Sequence, residues 1–190
     1  MLQAGIYHKA SGRSLSSILS DGLRYGHHVE CGRQDRIQQI NEYLTALCPD
    51  RLRSVDLDRN ASIYCYLSVD HHIFDVDTGL LIDESGWQVD QGMVRLQLTV
   101  DPQNVFVSDL EAFDELAGLA ADTPESVAYQ LAQQYWQHIV PLPDLCAHYR
   151  LEEHALVRRA EGPPRLPSRL ERVEVLVTAD ISGGDVRLMR

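Results

Sequence analysis

"GIYHKASGRSLSSILSDGL", Gly5 to Leu23, is the stretch on which the fold turns. An apolar segment, residues 2–8, reads as a strand entering a sheet and ends on His8. A small polar turn follows, then an amphipathic helix that closes on Asp21-Gly22. Leu15, Ile18, Leu19 and Leu23 recur at helical spacing, so one face is apolar. Ser14 is placed to cap the helix and Gly22 to stop it. A lone histidine beside such a turn is ordinarily a structural hydrogen-bond donor, and only features further along the chain change that reading.

The chain has 190 residues, 44% hydrophobic and 24% charged. That length suits a single domain, 1–190, able to bury a core without staples. No stretch approaches the roughly 20 apolar residues of a membrane span. "MLQAGIYHKA" lacks a basic region followed by an apolar run, so no secretory signal is read. The expected location is the cytoplasm, or outside the cell by a route that reads no such signal. The formal net charge of −11 argues against gripping nucleic acid by phosphate neutralisation. Arg158, Arg159, Arg165, Arg169 and Arg172 straddle a Pro-rich turn and read as solvated charge. Cys31, Cys48, Cys65 and Cys146 form no Cys-x-x-Cys and read as reduced thiols, with Cys65 buried in a strand.

"RQDRIQQINEYLTALC" reads as a second helix, with Ile37, Ile40, Tyr43 or Leu44, and Leu47 on one side. "DRLRSVDLDRN" reads as polar connection. "ASIYCYLS", 61–68, is a strand rich in β-formers. The segment from Val69 to Gly92 reads as irregular, with room for a short helix or hairpin. "MVRLQLTVDP" alternates with period two and "QNVFVSD" is a further strand. "LEAFDELAGLAA" reads as helical. "TPESVAYQLAQQYWQHIV" is a stronger helix, with Thr123 as cap and Pro124 at its first position. "VEVLVTADI" is a late strand. Strand and helices first, then mostly antiparallel strands around a helical insert, give α+β rather than a doubly wound fold.

Four motifs carry possible chemistry: Tyr7-His8; the tyrosines of "SIYCYLS", Tyr64 and Tyr66, on one face of their strand; "LTVDPQNVFVSD"; and Glu174 within "RVEVLV". In this order they resemble the ADP-ribosyltransferase family, nearest to its His–Tyr–Glu branch, which includes diphtheria-type toxins and the poly(ADP-ribose) polymerases. The opening also looks like that of the RNA 2′-phosphotransferases and of the DNA-modifying bacterial transferases. The resemblance spans most of the chain as an order of elements, with about 40 residues carrying it closely.

The resemblance implies a split, mostly antiparallel β-sheet core with flanking helices. It implies NAD as substrate and mono-ADP-ribosyl transfer to a macromolecular target, a protein rather than a nucleic acid given the charge. His8 would hydrogen-bond the ribose as a donor, and the backbone at Lys9 would meet the nicotinamide carboxamide. Tyr64 or Tyr66 would stack on nicotinamide, with Ser68 further along the same strand also at the cofactor. Glu174 would hold the ribose 2′-hydroxyl and stabilise the oxocarbenium-like centre formed as nicotinamide leaves. Family members often carry Gly where this chain has Lys9. The arginine-modifying class carries Glu or Gln where this chain has Arg172, so no arginine specificity is expected. A toxin, an effector, or a component paired with an antitoxin or host partner is what family analogy suggests.

"DHHIFDVD" concentrates Asp70, His71, His72, Asp75 and Asp77. Adjacent histidines on an extended segment point opposite ways, so a structural or solvated loop is expected here and in His27-His28, and no metal; "DHHIFDVD", following the tyrosine strand, could instead cover the cleft as a lid. Two alternatives stay open beside the transferase. One is a binding module that kept the fold and lost transfer, as Lys9 would suggest. The other is a metal-dependent hydrolase using "DHHIFDVD".

Overall fold

The computed structural model describes residues 2–26, 34–120 and 122–189; His27, His28 and Cys31 lie outside them. Strand β1, Ala4–Ser11, runs three residues past His8. A short 3-10 turn, Gly12–Ser14, follows, and its cap is Ser11, whose Oγ accepts from Arg13 N at 3.3 Å. Ser14 makes no side-chain cap for helix α1, Leu15–Asp21, because the chain is already turning when it arrives. Gly22 does end α1, at φ +83°, where a Cβ would lie 1.9 Å from Ile181 O. The close approach lets Leu23 and Ile181 exchange backbone hydrogen bonds of 2.8 and 2.9 Å. Only glycine combines that φ with that proximity.

Helix α2 is Gln34–Ala46. It buries Ile40 and Leu44, but Ile37 is 47% exposed, since the apolar cluster engages the helix only from Ile40 onward. The polar connection holds a one-turn helix, α3, Asp50–Arg53. Strand β2, Ile63–Val69, then enters the sheet. The segment expected to be irregular forms a hairpin, β3 (His72–Asp75) and β4 (Leu80–Asp83). Asp70 and His71 make the two-residue loop from β2 to β3, at φ +48° and +67°. Tight hairpin loops need such backbone angles, and Asn-Gly, their usual signature, is absent here.

Strand β5, Met93–Leu98, and strand β6, Val105–Asp109, follow the alternating pattern. Helix α4 is Glu111–Gly118 and helix α5 is Glu125–Gln137. Pro124 stands at the α5 cap in extended conformation, and no side chain caps it, so Thr123 lies one residue too early for that role. A two-residue strand, β7 (Val140–Pro141), leads into helix α6, Leu142–His148. Strands β8 (Tyr149–Glu152), β9 (Ala155–Arg158) and β10 (Arg169–Leu170) form a small separate sheet. Strand β11, Val173–Val177, and strand β12, Val186–Leu188, complete the main sheet.

The main sheet runs β12-β5-β1-β2-β11-β6-β7, with β3 and β4 added beside β2. Every pairing in it is antiparallel. The protein is thus mixed α/β, a mostly antiparallel sheet with flanking helices. Alternation sorts the strands onto two faces. Val173, Val175 and Val177 join Val105, Val107, Cys65 and Leu67 in a core shared with α1, α6 and the small sheet. Leu176 and Phe106 face the other way, into a cluster with α2, α4 and α5. Cys48, Cys65 and Cys146 are free thiols. Among the described residues no helix is long and apolar enough to cross a membrane.

The arginine group does not behave as solvated charge throughout. Arg158 Nη1 donates to Pro163 O at 2.6 Å and Leu166 O at 2.7 Å, and Arg159 Nε to Tyr149 O at 3.1 Å. A Pro-rich turn has few backbone donors of its own, and Arg158 supplies donors to its carbonyls, while Arg159 ties the approach to that turn to the start of β8.

Candidate functional site

The position of His8 follows from where the sheet parts. β1 pairs with β2 only from Ala4↔Val69 to Tyr7↔Tyr66. Beyond that, β1 continues against β5 as far as Ser11↔Met93, while β2 residues 63–65 pair with β11. His8 is the first residue past the parting. Its Nδ1 lies 3.0 Å from Tyr64 O, a carbonyl that the β1–β2 ladder no longer serves. A carbonyl only accepts, so Nδ1 carries the proton. Burial lowers the His8 pKa, against the partial support of that hydrogen bond, and keeps the ring neutral at pH 7. The expected ribose donor is thus already committed. Toward a sugar hydroxyl, the remaining Nε2 would be an acceptor.

Strand alternation sets the other residues relative to His8. Tyr7 faces Tyr66 across the ladder, and Glu174 faces Ser108. Tyr7, Lys9, Tyr64, Tyr66, Ser68, Ser108 and Glu174 therefore share one face of the sheet, and His8 falls in the opposite row with Ile6 and Ala10. Its imidazole meets β2 at the gap between the rows.

Glu174 is not on an edge strand. β11 lies between β2 and β6, and the residue is 6% exposed. Its carboxylate forms an ion pair with Arg59, itself 3% exposed. Oε1 accepts from Arg59 Nη1, from Ser108 Oγ at 2.9 Å and from Tyr135 OH at 3.2 Å. Oε2 accepts from Arg59 Nη2 at 3.3 Å.

Arg59 is the residue that sequence reasoning missed. It sits in the connection "DRLRSVDLDRN", where charged residues read as solvent-facing. Its guanidinium is ringed by Phe113, Tyr135 and Tyr64, with ring centroids 4.2, 5.0 and 5.1 Å away. Nε donates to Asn41 Oδ1 at 2.7 Å, and the Arg59 carbonyl accepts from Tyr64 OH at 2.6 Å. Burial works against the charge, but Glu174 and the surrounding rings more than offset it and raise the pKa above the usual arginine value. No local pattern marks such a residue; burial comes from α2, α4, α5 and β11 closing around it.

The two tyrosines are not equivalent. Tyr66 is buried against Trp87, ring centroids 5.0 Å apart, with Lys9 Nζ 5.7 Å from its ring. Its hydroxyl donates to Asp77 Oδ2 at 3.0 Å. Tyr64 keeps part of its surface, and burial, partly relieved by Arg59, pushes its pKa up to about 12. Of the pair, Tyr64 is the one beside the Arg59–Glu174 cluster. Ser68 is buried between Gly5 of β1 and Ile73 of β3, four residues from Tyr64, and the structure does not bring it to Glu174.

Lys9 occupies its own network. Nζ is 2.5 Å from Asp77 Oδ2 and 3.8 Å from Asp90 Oδ2. Burial opposes its charge, yet the hydrogen bond and charge of Asp77 prevail and raise its pKa. The same turn is held from the other side by Arg172, which pairs with Asp114 and donates to Val76 O at 3.4 Å. The β3–β4 turn thus spans from β1 to the approach of β11.

The acidic histidine cluster resolves into turns. His72 Nδ1 meets Asp70 O at 2.9 Å, and Asp75 Oδ1 accepts from Asp77 N at 3.0 Å. Among the described residues no group of three His, Cys, Asp or Glu is placed to hold a metal ion. Hollows open elsewhere, on the helical side. One, about 470 Å³, lies between α2 and α4 beside Tyr43 and Leu116. No family model, curated protein or solved structure matches this chain.

Proposed function

We propose that the protein is an NAD-dependent mono-ADP-ribosyltransferase acting on a protein target. The observation that supports this best is the parted sheet: His8 stands at the parting, and Tyr64 and Glu174 lie on the two strands that continue past it. Three groups bear on this reading, Tyr64 and Glu174 on one face of the sheet and His8 in the opposite row at the parting. His8 Nε2 can accept from a hydroxyl, Tyr64 offers a partly exposed ring, and Glu174 Oε2 has acceptor capacity left. Lys9, Tyr66 and Ser68 fit less well, since each is engaged in packing or pairing.

In this reading the glycosidic bond from ribose C1′ to the nicotinamide nitrogen breaks, and its electron pair neutralises the pyridinium. The acceptor's lone pair forms the new bond to C1′, and the acceptor's proton leaves to solvent. Glu174 supplies negative charge beside the electron-poor sugar. His8 and Tyr64 orient the sugar and the leaving ring. A toxin or effector role, with an antitoxin or host partner, belongs to this proposal through family analogy alone.

A second reading is a binding module of the same fold without transfer. One observation favours it: Glu174 is covered and engaged by Arg59, Ser108 and Tyr135. Incubation with labelled NAD and cell lysate, beside Glu174→Gln of matched thermal stability, separates the two. Label moved to protein by the native chain and not by the variant supports transfer. NAD binding by calorimetry without nicotinamide release supports the module, and no NAD binding at all removes the transferase.

A further inference from the structure

Glu174 has two carboxylate oxygens in unlike surroundings. Oε1 is saturated by Arg59 Nη1, Ser108 Oγ and Tyr135 OH. Among the described residues Oε2 has one partner, Arg59 Nη2, at 3.3 Å, near the long limit of a hydrogen bond. Arg59 itself is fixed independently of Glu174, by Asn41 and by three aromatic rings. A planar fork anchored in this way sets the plane of the carboxylate it pairs with. Helices α2, α4 and α5 thereby aim a side chain on β11.

We propose that Arg59 is the positioning residue of Glu174, holding Oε1 and presenting Oε2 as the oxygen that takes a hydroxyl of the substrate's ribose. This rests on the transferase reading above. Arg59 does not touch the substrate; it acts through the carboxylate, fixing its orientation. Buried ion pairs are often replaceable by apolar residues without loss of stability. That leaves a functional role as the reason for a charge pair here. Ser108 and Tyr135 complete the asymmetry, since both donate to the same oxygen.

The test compares nicotinamide release from NAD between pH 5 and 9 for the native chain, Arg59→Met, Arg59→Lys and the double variant Ser108→Ala/Tyr135→Phe. Calorimetry with NAD runs in parallel. Arg59→Met is expected to lower kcat about 100-fold with KM changed less than about threefold, the signature of a lost transition-state interaction. Arg59→Lys keeps a charge but not the fork, and recovers kcat only in part. The double variant leaves the ion pair and removes two of the three donors to Oε1. It is expected to lose about tenfold in kcat, and it decides the matter if Arg59→Met does not fold.

Native kcat in Arg59→Met, or in the double variant where Arg59→Met is unfolded, overturns the proposal while leaving the transferase standing. A loss confined to KM overturns it too, since Arg59 would then grip the substrate directly. A native chain that neither binds NAD nor releases nicotinamide overturns both.

Discussion

His8 and Tyr64 meet where β1 and β2 stop pairing: the imidazole Nδ1 and the backbone carbonyl are 3.0 Å apart. The contact satisfies a carbonyl that the ladder has abandoned and fixes the tautomer of the ring. His8→Ala removes both, and the cost expected is that of an unsatisfied buried acceptor, about 1–3 kcal/mol. Urea unfolding at pH 8 measures it. His8→Asn can still donate and is expected to recover part of the loss.

The same histidine makes stability depend on pH. Its pKa is lower folded than unfolded, because burial disfavours the imidazolium. The unfolded chain therefore takes up a proton first. The His8 contribution is complete above the unfolded value of about 6.5 and is lost as pH falls below it toward the folded value. The difference in melting temperature between the native chain and His8→Asn should narrow between pH 8 and pH 5. A constant difference would mean that His8 does not titrate with unfolding.

Removing one member of the Arg59–Glu174 pair leaves the other charge buried. Arg59→Met and Glu174→Leu are each expected to cost about 3–5 kcal/mol, and the double variant less than either single one. A double-mutant cycle by urea unfolding reads the coupling. Additive losses would mean that the two side chains do not depend on each other.

The two tryptophans are both almost fully buried but differ in polar contact. Trp136 Nε1 donates to Leu44 O at 2.9 Å, whereas Trp87 Nε1 has no partner among the described residues. Trp136→Phe should therefore cost about 1 kcal/mol more than Trp87→Phe, the worth of one hydrogen bond. Thermal unfolding of the two variants under one condition gives the comparison.

Gly22 and Gly92 both hold positive φ, +83° and +85°, but a Cβ at Gly22 strikes Ile181 O while one at Gly92 meets nothing within 4 Å. Gly92→Ala is expected to cost about 1 kcal/mol, from backbone strain alone. Gly22→Ala must also push α1 off the 181–183 turn and should cost clearly more. Equal losses in chemical denaturation would show that the close approach is unimportant.

The strands and helices that bury one regular face could be read from periodicity: β1, β2, β5, β11 and α5. The hairpin of β3 and β4 is legible only with a short helix as its alternative, because the entry to β3 turns at Asp70-His71, which lacks the Asn-Gly signature of a tight hairpin loop. Of the candidate site, the resemblance singles out His8, Tyr64 and Glu174 in chain order. Their actual partners were not legible. Arg59 looks like any charged loop residue until four distant elements close over it, and Glu174 looks like the outward side of a strand until β2 and β6 flank it. Spacing along a chain reports local geometry, and a buried charge is a property of the assembled whole.

β11 lies centrally in the sheet yet comes from residues 173–177, near the end of the described chain. During synthesis β2 and β6 emerge long before the strand that joins them, and each waits with an open edge. Arg59 lacks its carboxylate partner until Glu174 has been made. The carboxylate that closes the sheet also neutralises the cation, so the two events coincide. A nascent chain halted before residue 173 has neither a continuous sheet nor the carboxylate.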